Sequence, residues 1–251
     1  MNPEETFQKI YNLIKTSQDI LLIAHRRPDG DALGALCAFF RFVKDLEKNA
    51  TAYCADYPNK IFDFLDGFRE IKFNEGLSDF DQFDLIICLD CGDLEQTGCK
   101  DKLILVQKNT VIINIDHHLT NTYFGQVNLV EAKASSTSEI ITDFFNFLKI
   151  EIGKEQAACL LVGILTDTDN FSNSATIPKT LLLAAGLLAK VINFKKLSSF
   201  DEKNKNLSIL KLWGEILSRL EKNNVYNIAT TVITKEDFER YNIKDEALNN
   251  V

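Results

Sequence analysis

The chain contains three histidines, and each of them follows an apolar run. His25 ends the stretch LLIAH and is followed at once by Asp29 and Asp31, with Gly30 between them. His117 and His118 come directly after VIINI and Asp116. Asp90 ends a third run, DLIICL, and Asp167 lies in the segment GILTDTDNF. His25, Asp29, Asp31, Asp90, His117 and Asp167 make four carboxylates and two imidazoles. Brought to one place without partners, such groups would repel one another and lose solvation. Two divalent cations resolve that conflict. Oxygen and nitrogen donors without thiolate suit Mn²⁺ best, with Mg²⁺, Co²⁺ or Zn²⁺ as alternatives. A pair of ions roughly 3.5–4 Å apart can share a hydroxide nucleophile and clamp a phosphate during in-line displacement. The residues therefore point to metal-assisted phosphoester hydrolysis.

Each piece also has a plainer reading. A D-x-D in a loop fits a solvated turn, and a histidine ending a strand fits a hydrogen-bonded structural residue. Asp167 fits the last turn of a helix. Arg26 and Arg27 fit either a solvated loop or phosphate contacts. Ser135 and Ser136, ahead of Thr137-Ser138-Glu139, read as a helix N-cap cluster, and a helix N-terminus also binds anions. Cys88-Leu-Asp-Cys91 fits C-x-x-C, but no second cysteine pair stands at metal spacing. The joint occurrence at the ends of apolar runs favours the metal reading.

The elements that would position these groups are legible as well. Asn2-Pro3-Glu4-Glu5 starts a helix. Ile20–Ala24, Thr51–Ala55, Asp84–Leu89 and Val111–Ile115 read as four buried strands, and Asp31–Glu47 as a helix. Ile61–Phe68 looks like a short helix, and Lys102–Gln107 fits either helix or strand. Continuous apolar strands alternating with helices indicate an α/β fold, a parallel sheet flanked by helices. Such sheets bind ligands beyond the carboxyl ends of their strands. That would gather His25, Asp90 and His117 along one edge. Ser136–Leu148, Lys154–Leu165 and Pro178–Ala189 read as helices, and Asn206–Leu220 as a longer amphipathic one. Asn224–Thr234 reads as a strand and Lys235–Tyr241 as a short helix, the start of a smaller second α/β domain. The expected division is 1–190 for the catalytic domain, 191–223 for a connector helix and 224–251 for that second domain.

Net charge is −8. This disfavours binding to long duplex nucleic acid, which leans on many phosphate contacts from Lys and Arg, but it allows small anions held by bound cations. No apolar run approaches the ~18–20 residues of a membrane span, and the acidic start is unlike a signal peptide. The scattered six cysteines fit reduced thiols. A cytoplasmic protein with no membrane partner is expected.

Taken in order, H-x-x-P-D-G-D at His25–Asp31, Asp90, D-H-H at Asp116–His118, A-S-S-T-S-E at Ala134–Glu139 and T-D-T at Thr166–Thr168 resemble the DHH phosphoesterase superfamily. The branch most resembled is the nanoRNase and pAp-phosphatase type; RecJ exonucleases and family II pyrophosphatases are more distant. The resemblance implies one Mn²⁺ held by His25, Asp29 and Asp90. It implies a second held by Asp31, Asp90, His117 and Asp167, with Asp90 bridging. His118 would act at the scissile phosphate, and Asp116 would orient a neighbouring histidine. Arg26 would contact the substrate, and Ser135 and Ser136 would lie near the site, supporting it or binding the substrate. The implied substrates are short oligonucleotides, dinucleotides or 3′-phosphoadenosine 5′-phosphate, with a homodimer possible. Inorganic pyrophosphate and cyclic dinucleotides are the alternative substrates. Two departures stand out. Gln96 occupies a position where such proteins often carry Arg, and the Gly-rich G-G-G-H segment of the family's second domain is absent. The chain is therefore expected to be a piece of a longer protein, and a metal-binding but inactive fragment is a further alternative.

Overall fold

The structure, a computed structural model, describes residues 3–74, 77, 79–191 and 207–242. The chain divides into two compact units, Met1–Ser198 and Ser199–Val251.

The first unit is built on a six-stranded sheet whose pairings are all parallel. Its strands are β1 (Asp19–Ala24), β2 (Asn49–Cys54), β3 (Lys72–Phe73), β4 (Leu85–Leu89), β5 (Val111–Asp116) and β6 (Val127–Val130). Their order across the sheet is β3-β2-β1-β4-β5-β6. The chain runs outward from β1 to β3 and then returns to build β4 to β6 on the other side of β1. That reversal makes the gap between β1 and β4 a topological switch point, where the carboxyl ends leave a crevice. Register then aligns the chemistry. Ala24 pairs with Leu89, and Leu89 with Ile115. The next residues, His25, Asp90 and Asp116, are therefore level across three adjacent strands.

The strands are apolar on both sides because both sheet faces are covered. On one face, Leu21, Ile23, Ile86, Cys88 and Ile112 pack with Phe80, Phe83, Leu103 and Val106. The helix on this side is α3 (Lys100–Val106). The opposite face is covered by α1 (Pro3–Thr16), α2 (Gly30–Asp45) and α4 (Thr137–Phe147). Phe7, Phe39, Phe42, Phe144 and Phe145 form a continuous aromatic cluster there, with ring centroids 5.0–6.1 Å apart. Helix α5 (Lys154–Asp167) packs on α2, and α6 (Pro178–Leu188) on α5.

The sheet is wider than the four expected strands. β3 is only two residues long and exposed, and β6 has four residues. Neither carries an apolar run long enough to announce a strand. The expected helix at Ile61–Phe68 is replaced by two 3₁₀ turns, Lys60–Phe62 and Phe68–Glu70. Gly67, at φ +85°, breaks the segment between them. Of the segment Lys102–Gln107, all but the last residue resolves as helix within α3, and Gln107 is its C-cap.

The second unit shows α7 (Leu207–Ser218), β7 (Glu221–Asn223), β8 (Ile228–Thr230) and α8 (Lys235–Tyr241). The single strand expected at Asn224–Thr234 is instead a hairpin turn followed by β8, antiparallel to β7. The Asn223 side-chain oxygen accepts from the N–H groups of Val225 and Tyr226, and Asn227 takes φ +51°. Asparagine supplies both turn devices. Arg219 forks onto Asp237 at 2.7 and 2.8 Å and closes α7 on α8. Of the expected connector at 191–223, residues 192–206 lie outside the described residues, as do 243–251. Among the described residues no helix is long and apolar enough to cross a membrane. All six cysteines are free and buried.

Helices α2 and α5 meet backbone to backbone. A Cβ at Gly34 would lie 2.4 Å from the Cys159 carbonyl oxygen and 3.1 Å from the Gly163 nitrogen. Alanine is favoured over glycine inside a helix by about 1 kcal/mol. Overpacking against an immovable backbone costs about 1–3 kcal/mol or more. Gly34→Ala should therefore lower stability despite the propensity gain. Urea unfolding should show a lower midpoint at unchanged slope, and an equal or higher midpoint would contradict this packing.

Candidate metal centre

Asp90 is the residue around which the site is arranged. It follows β4 directly, is 2 % exposed and takes φ +59°. Its N–H donates to the Ile115 carbonyl at 2.9 Å, tying it to β5. Left-handed backbone is unusual for a buried non-glycine residue and is found where surrounding structure imposes it. The two oxygens of this carboxylate face different donors. Oδ2 lies 3.5 Å from His25 Nε2, and Oδ1 lies 3.6 Å from His117 Nε2.

On the Oδ2 side, His25 Nε2 is also 3.7 Å from Asp29 Oδ1. The His25 ring is oriented from behind, because Nδ1 is 2.6 Å from the Arg26 carbonyl. With the proton on Nδ1, Nε2 is left with a lone pair for a metal. Asp29 is the N-cap of α2, and its Oδ1 accepts from the N–H groups of Asp31 and Ala32 at 3.0 Å each. One aspartate thus starts the helix and also faces the site.

On the Oδ1 side, His117 Nε2 is 3.0 Å from Asp167 Oδ2, at the last residue of α5. Asp31 completes this group. It is fully buried, and its two oxygens accept from the N–H groups of Thr137 (2.6 Å) and Ser138 (3.0 Å). The N-terminus of α4 is therefore occupied by a carboxyl group of the chain itself, that of Asp31. Donor atoms of His25, Asp29 and Asp90 lie within 4.8 Å of one another, as do those of Asp31, His117 and Asp167. Asp90, His117 and His118 form a third such group.

The six expected ligands thus converge. His118 stands beside them, 40 % exposed, with Nδ1 held 2.7 Å from Asp116 Oδ1. Asp116 is itself buried, and its Oδ2 accepts from Asn121 Nδ2 at 2.6 Å. The Asn121 amide was not among the expected residues. Nothing in its loop sequence distinguishes it from a turn asparagine.

Ser135 and Ser136 lie elsewhere than at an open substrate surface. Ser136 Oγ accepts from the Glu139 N–H as the N-cap of α4. Ser135 Oγ donates to Glu139 Oε2 at 2.7 Å, and both serines are buried. Glu139 also accepts from Thr180 Oγ1 and pairs with Lys179. This buried carboxylate locks the start of α4 to the start of α6. Arg26 is exposed, with Nε 3.6 Å from Asp56. Gln96 brings no charge. Its carbonyl accepts from the Arg26 N–H at 2.7 Å, and its side chain accepts from the Gly92 N–H at 2.7 Å.

The charge balance shows what the arrangement is built for. Burial works against a charge on His25, yet Asp29 and Asp90 push the ring up to about 11. His117 is likewise buried, and Asp167 and Asp90 carry it up to about 10. Burial, with Asp167 and Asp90 close by, raises Asp31 well above the usual carboxylate range. Asp167 is raised by burial too. Protons are thus standing in for positive charge among crowded carboxylates. Divalent cations meet the same need, and an all-oxygen-and-imidazole donor set fits Mn²⁺ or a similar hard ion. The residues fit the group.

The description "DHH family, N-terminal domain" matches residues 19–164, and the chain belongs to the DHH family. It is 29 % identical over 215 residues to the bifunctional oligoribonuclease and PAP phosphatase NrnA of Thermus thermophilus, covering 85 % of this chain and 63 % of that protein. It is 32 % identical over 180 residues to the Mycoplasma genitalium protein of the same name, covering 69 % of this chain and 54 % of the other. The chain thus spans about 54–63 % of the length of these two relatives. Among solved structures, an exopolyphosphatase-related protein from Bacteroides fragilis superposes with TM-score 0.88 at 24 % identity, over 96 % of this chain and 73 % of that one. That likeness carries the fold.

The proton balance sets a pH dependence. In the metal-free protein His25, His117 and Asp31 all hold protons more tightly than in the unfolded chain. The stability the histidines contribute is complete below about 6.5. It is lost as pH rises through about 10 and 11, and ionisation of Asp31 acts in the same direction. Bound cations displace these protons, so metal affinity should rise with pH. Thermal unfolding with and without Mn²⁺ between pH 6 and 9 should show a stabilisation that grows with pH. A stabilisation that shrinks with pH would contradict the arrangement.

Proposed function

We propose that the protein is a Mn²⁺-dependent phosphoesterase acting on very short oligonucleotides and on small nucleotides such as 3′-phosphoadenosine 5′-phosphate. One observation carries this reading: the two oxygens of Asp90 face two separate imidazole–carboxylate groups. His25, Asp29 and Asp90 would hold one ion, and Asp31, Asp90, His117 and Asp167 the other. When bound, the ions supply Lewis acidity toward phosphoryl oxygens and make water nucleophilic at neutral pH.

The chain's own groups account for the rest. Asp116 holds His118 by Nδ1 and raises its affinity for a proton. The Nε2 of this half-exposed ring is then free to donate to a phosphoryl oxygen or to the leaving-group oxygen. Asn121 and Asp116 together fix the ring so that it reaches the phosphate without reorganising. Arg26, exposed beside His25, would meet a further phosphate of the substrate. The relatives named for oligoribonuclease and PAP phosphatase activity support this substrate class, and the net charge of −8 suits short rather than long nucleic acids. A cytoplasmic location fits such substrates.

The test is hydrolysis of a dinucleotide and of 3′-phosphoadenosine 5′-phosphate with Mn²⁺, alongside inorganic pyrophosphate and a cyclic dinucleotide. Turnover of the first two, abolished by a chelator and lowered at least about 10²-fold by Asp90→Asn, is expected. His118→Ala should lower turnover while leaving Mn²⁺ binding in place. Preference for pyrophosphate or for the cyclic dinucleotide, or full activity in Asp90→Asn, would overturn the proposal.

A further inference from the structure

Thr137 is the first residue of α4 and is fully buried. It offers two donors to two different carboxylates. Its backbone N–H donates to Asp31 Oδ2 at 2.6 Å, and its hydroxyl donates to Asp90 Oδ1 at 2.9 Å. Neither acidic residue is its neighbour in sequence; Asp90 is 47 positions away and Asp31 is 106.

The hydroxyl bond bears on how Asp90 is turned. Asp90 can share two ions only if each oxygen faces its own donor group, which requires one rotation of the carboxylate about its Cβ–Cγ bond. That torsion is broad and poorly restrained by its own rotamer preferences. The histidines on both sides do not fix it in the metal-free protein, because each stands 3.5–3.7 Å from an Asp90 oxygen, beyond a good hydrogen bond. Among the described residues, the Thr137 hydroxyl makes the only side-chain hydrogen bond to Asp90 at normal length.

Thr137 is itself held in place. The helix it begins is anchored by Ser136, which caps the Glu139 N–H, and by Glu139, which is tied to Ser135, Lys179 and Thr180. Helix α5 approaches so closely that a Cβ at Gly163 would fall 2.0 Å from Ser138 Oγ and 2.5 Å from Asp31 Oδ1. The threonine therefore acts from a fixed frame, with little freedom to follow a rotating carboxylate.

We propose that Thr137 is a positioning residue for the metal pair: its hydroxyl sets the rotation of Asp90 so that Oδ2 serves the His25–Asp29 group and Oδ1 the His117–Asp31–Asp167 group. This rests on the reading of the cluster as a metal centre and gives a role to a residue of the Ala134–Glu139 motif that is not among the six expected ligands. Outer hydrogen-bond partners of metal ligands are worth 10–100-fold in affinity. The loss should fall on the pairing of the two ions rather than on the fold.

The test compares the full chain with Thr137→Val, which keeps the shape and loses the hydroxyl, and with Thr137→Ser, which keeps the hydroxyl. Mn²⁺ binding is measured by calorimetry, and spin coupling between two bound Mn²⁺ by electron paramagnetic resonance. The metal-free melting temperature and circular dichroism report the fold. The expected result is Mn²⁺ affinity about tenfold or more weaker in Thr137→Val, with the coupled signal reduced, the metal-free fold intact and Thr137→Ser close to the parent. Should Thr137→Val not fold, Thr137→Ala carries the same comparison. Equal affinity and coupling in the hydroxyl-free variant and the parent would overturn the role of Thr137 while leaving the metal centre standing. So would Thr137→Ser behaving like Thr137→Val. No Mn²⁺ binding by the parent would remove both.

Discussion

Like charge held at close quarters is the constraint on which this structure turns. Asp31, Asp90 and Asp167 are carried to one rim of a parallel sheet and largely withdrawn from water. Carboxylates so placed cannot all ionise without positive charge among them. In the metal-free protein that charge comes from protons on His25 and His117, while burial and the neighbouring carboxylates raise the proton affinity of Asp31. A core built only for stability would have no use for such a cluster, since burying and pairing charges seldom repays their desolvation. The surrounding fold nevertheless spends several devices on keeping it: the left-handed backbone at Asp90, the helix end aimed at Asp31, and the ring of His25 held from behind by a carbonyl.

Topology does most of the positioning. Three adjacent strands end in level register, so His25, Asp90 and Asp116 need no long loops to meet. The reversal of strand order between β1 and β4 opens the crevice in which they stand. Helices then close the site from one side. The start of α2 supplies Asp29 and Asp31, the start of α4 supplies donors for Asp31 and Asp90, and the end of α5 supplies Asp167. Gly34 and Gly163 allow α2 and α5 to come within backbone contact, and this brings Asp31 and Asp167 to the same group.

Much of this was legible before any coordinates. Apolar runs that stop abruptly on imidazole or carboxylate are conspicuous, and the parallel sheet that follows from them predicts a shared edge. What stayed hidden had weak local signals. β3 and β6 are held by their neighbours, not by their own apolar pattern. The turn at 223–227 interrupts what reads as a strand, because the Asn223 side chain accepts from the Val225 and Tyr226 N–H groups there. Thr137 and Asn121 resemble ordinary cap and turn residues, and only their long-range partners reveal a link to the site. Ser135 and Ser136 support the site through the start of α4. Their types also fit a phosphate site, and both hydroxyls are engaged by Glu139, by its side chain for Ser135 and its N–H for Ser136.

The central claim is that Asp90 lies between two cations. Anomalous scattering from crystals of the protein grown with Mn²⁺ tests it directly. The account predicts two peaks, one on each side of the Asp90 carboxylate, roughly 3.5–4 Å apart. One peak would lie against His25 and Asp29, and the other against Asp31, His117 and Asp167. A single peak remote from Asp90, or no peak at the sheet edge, would contradict it.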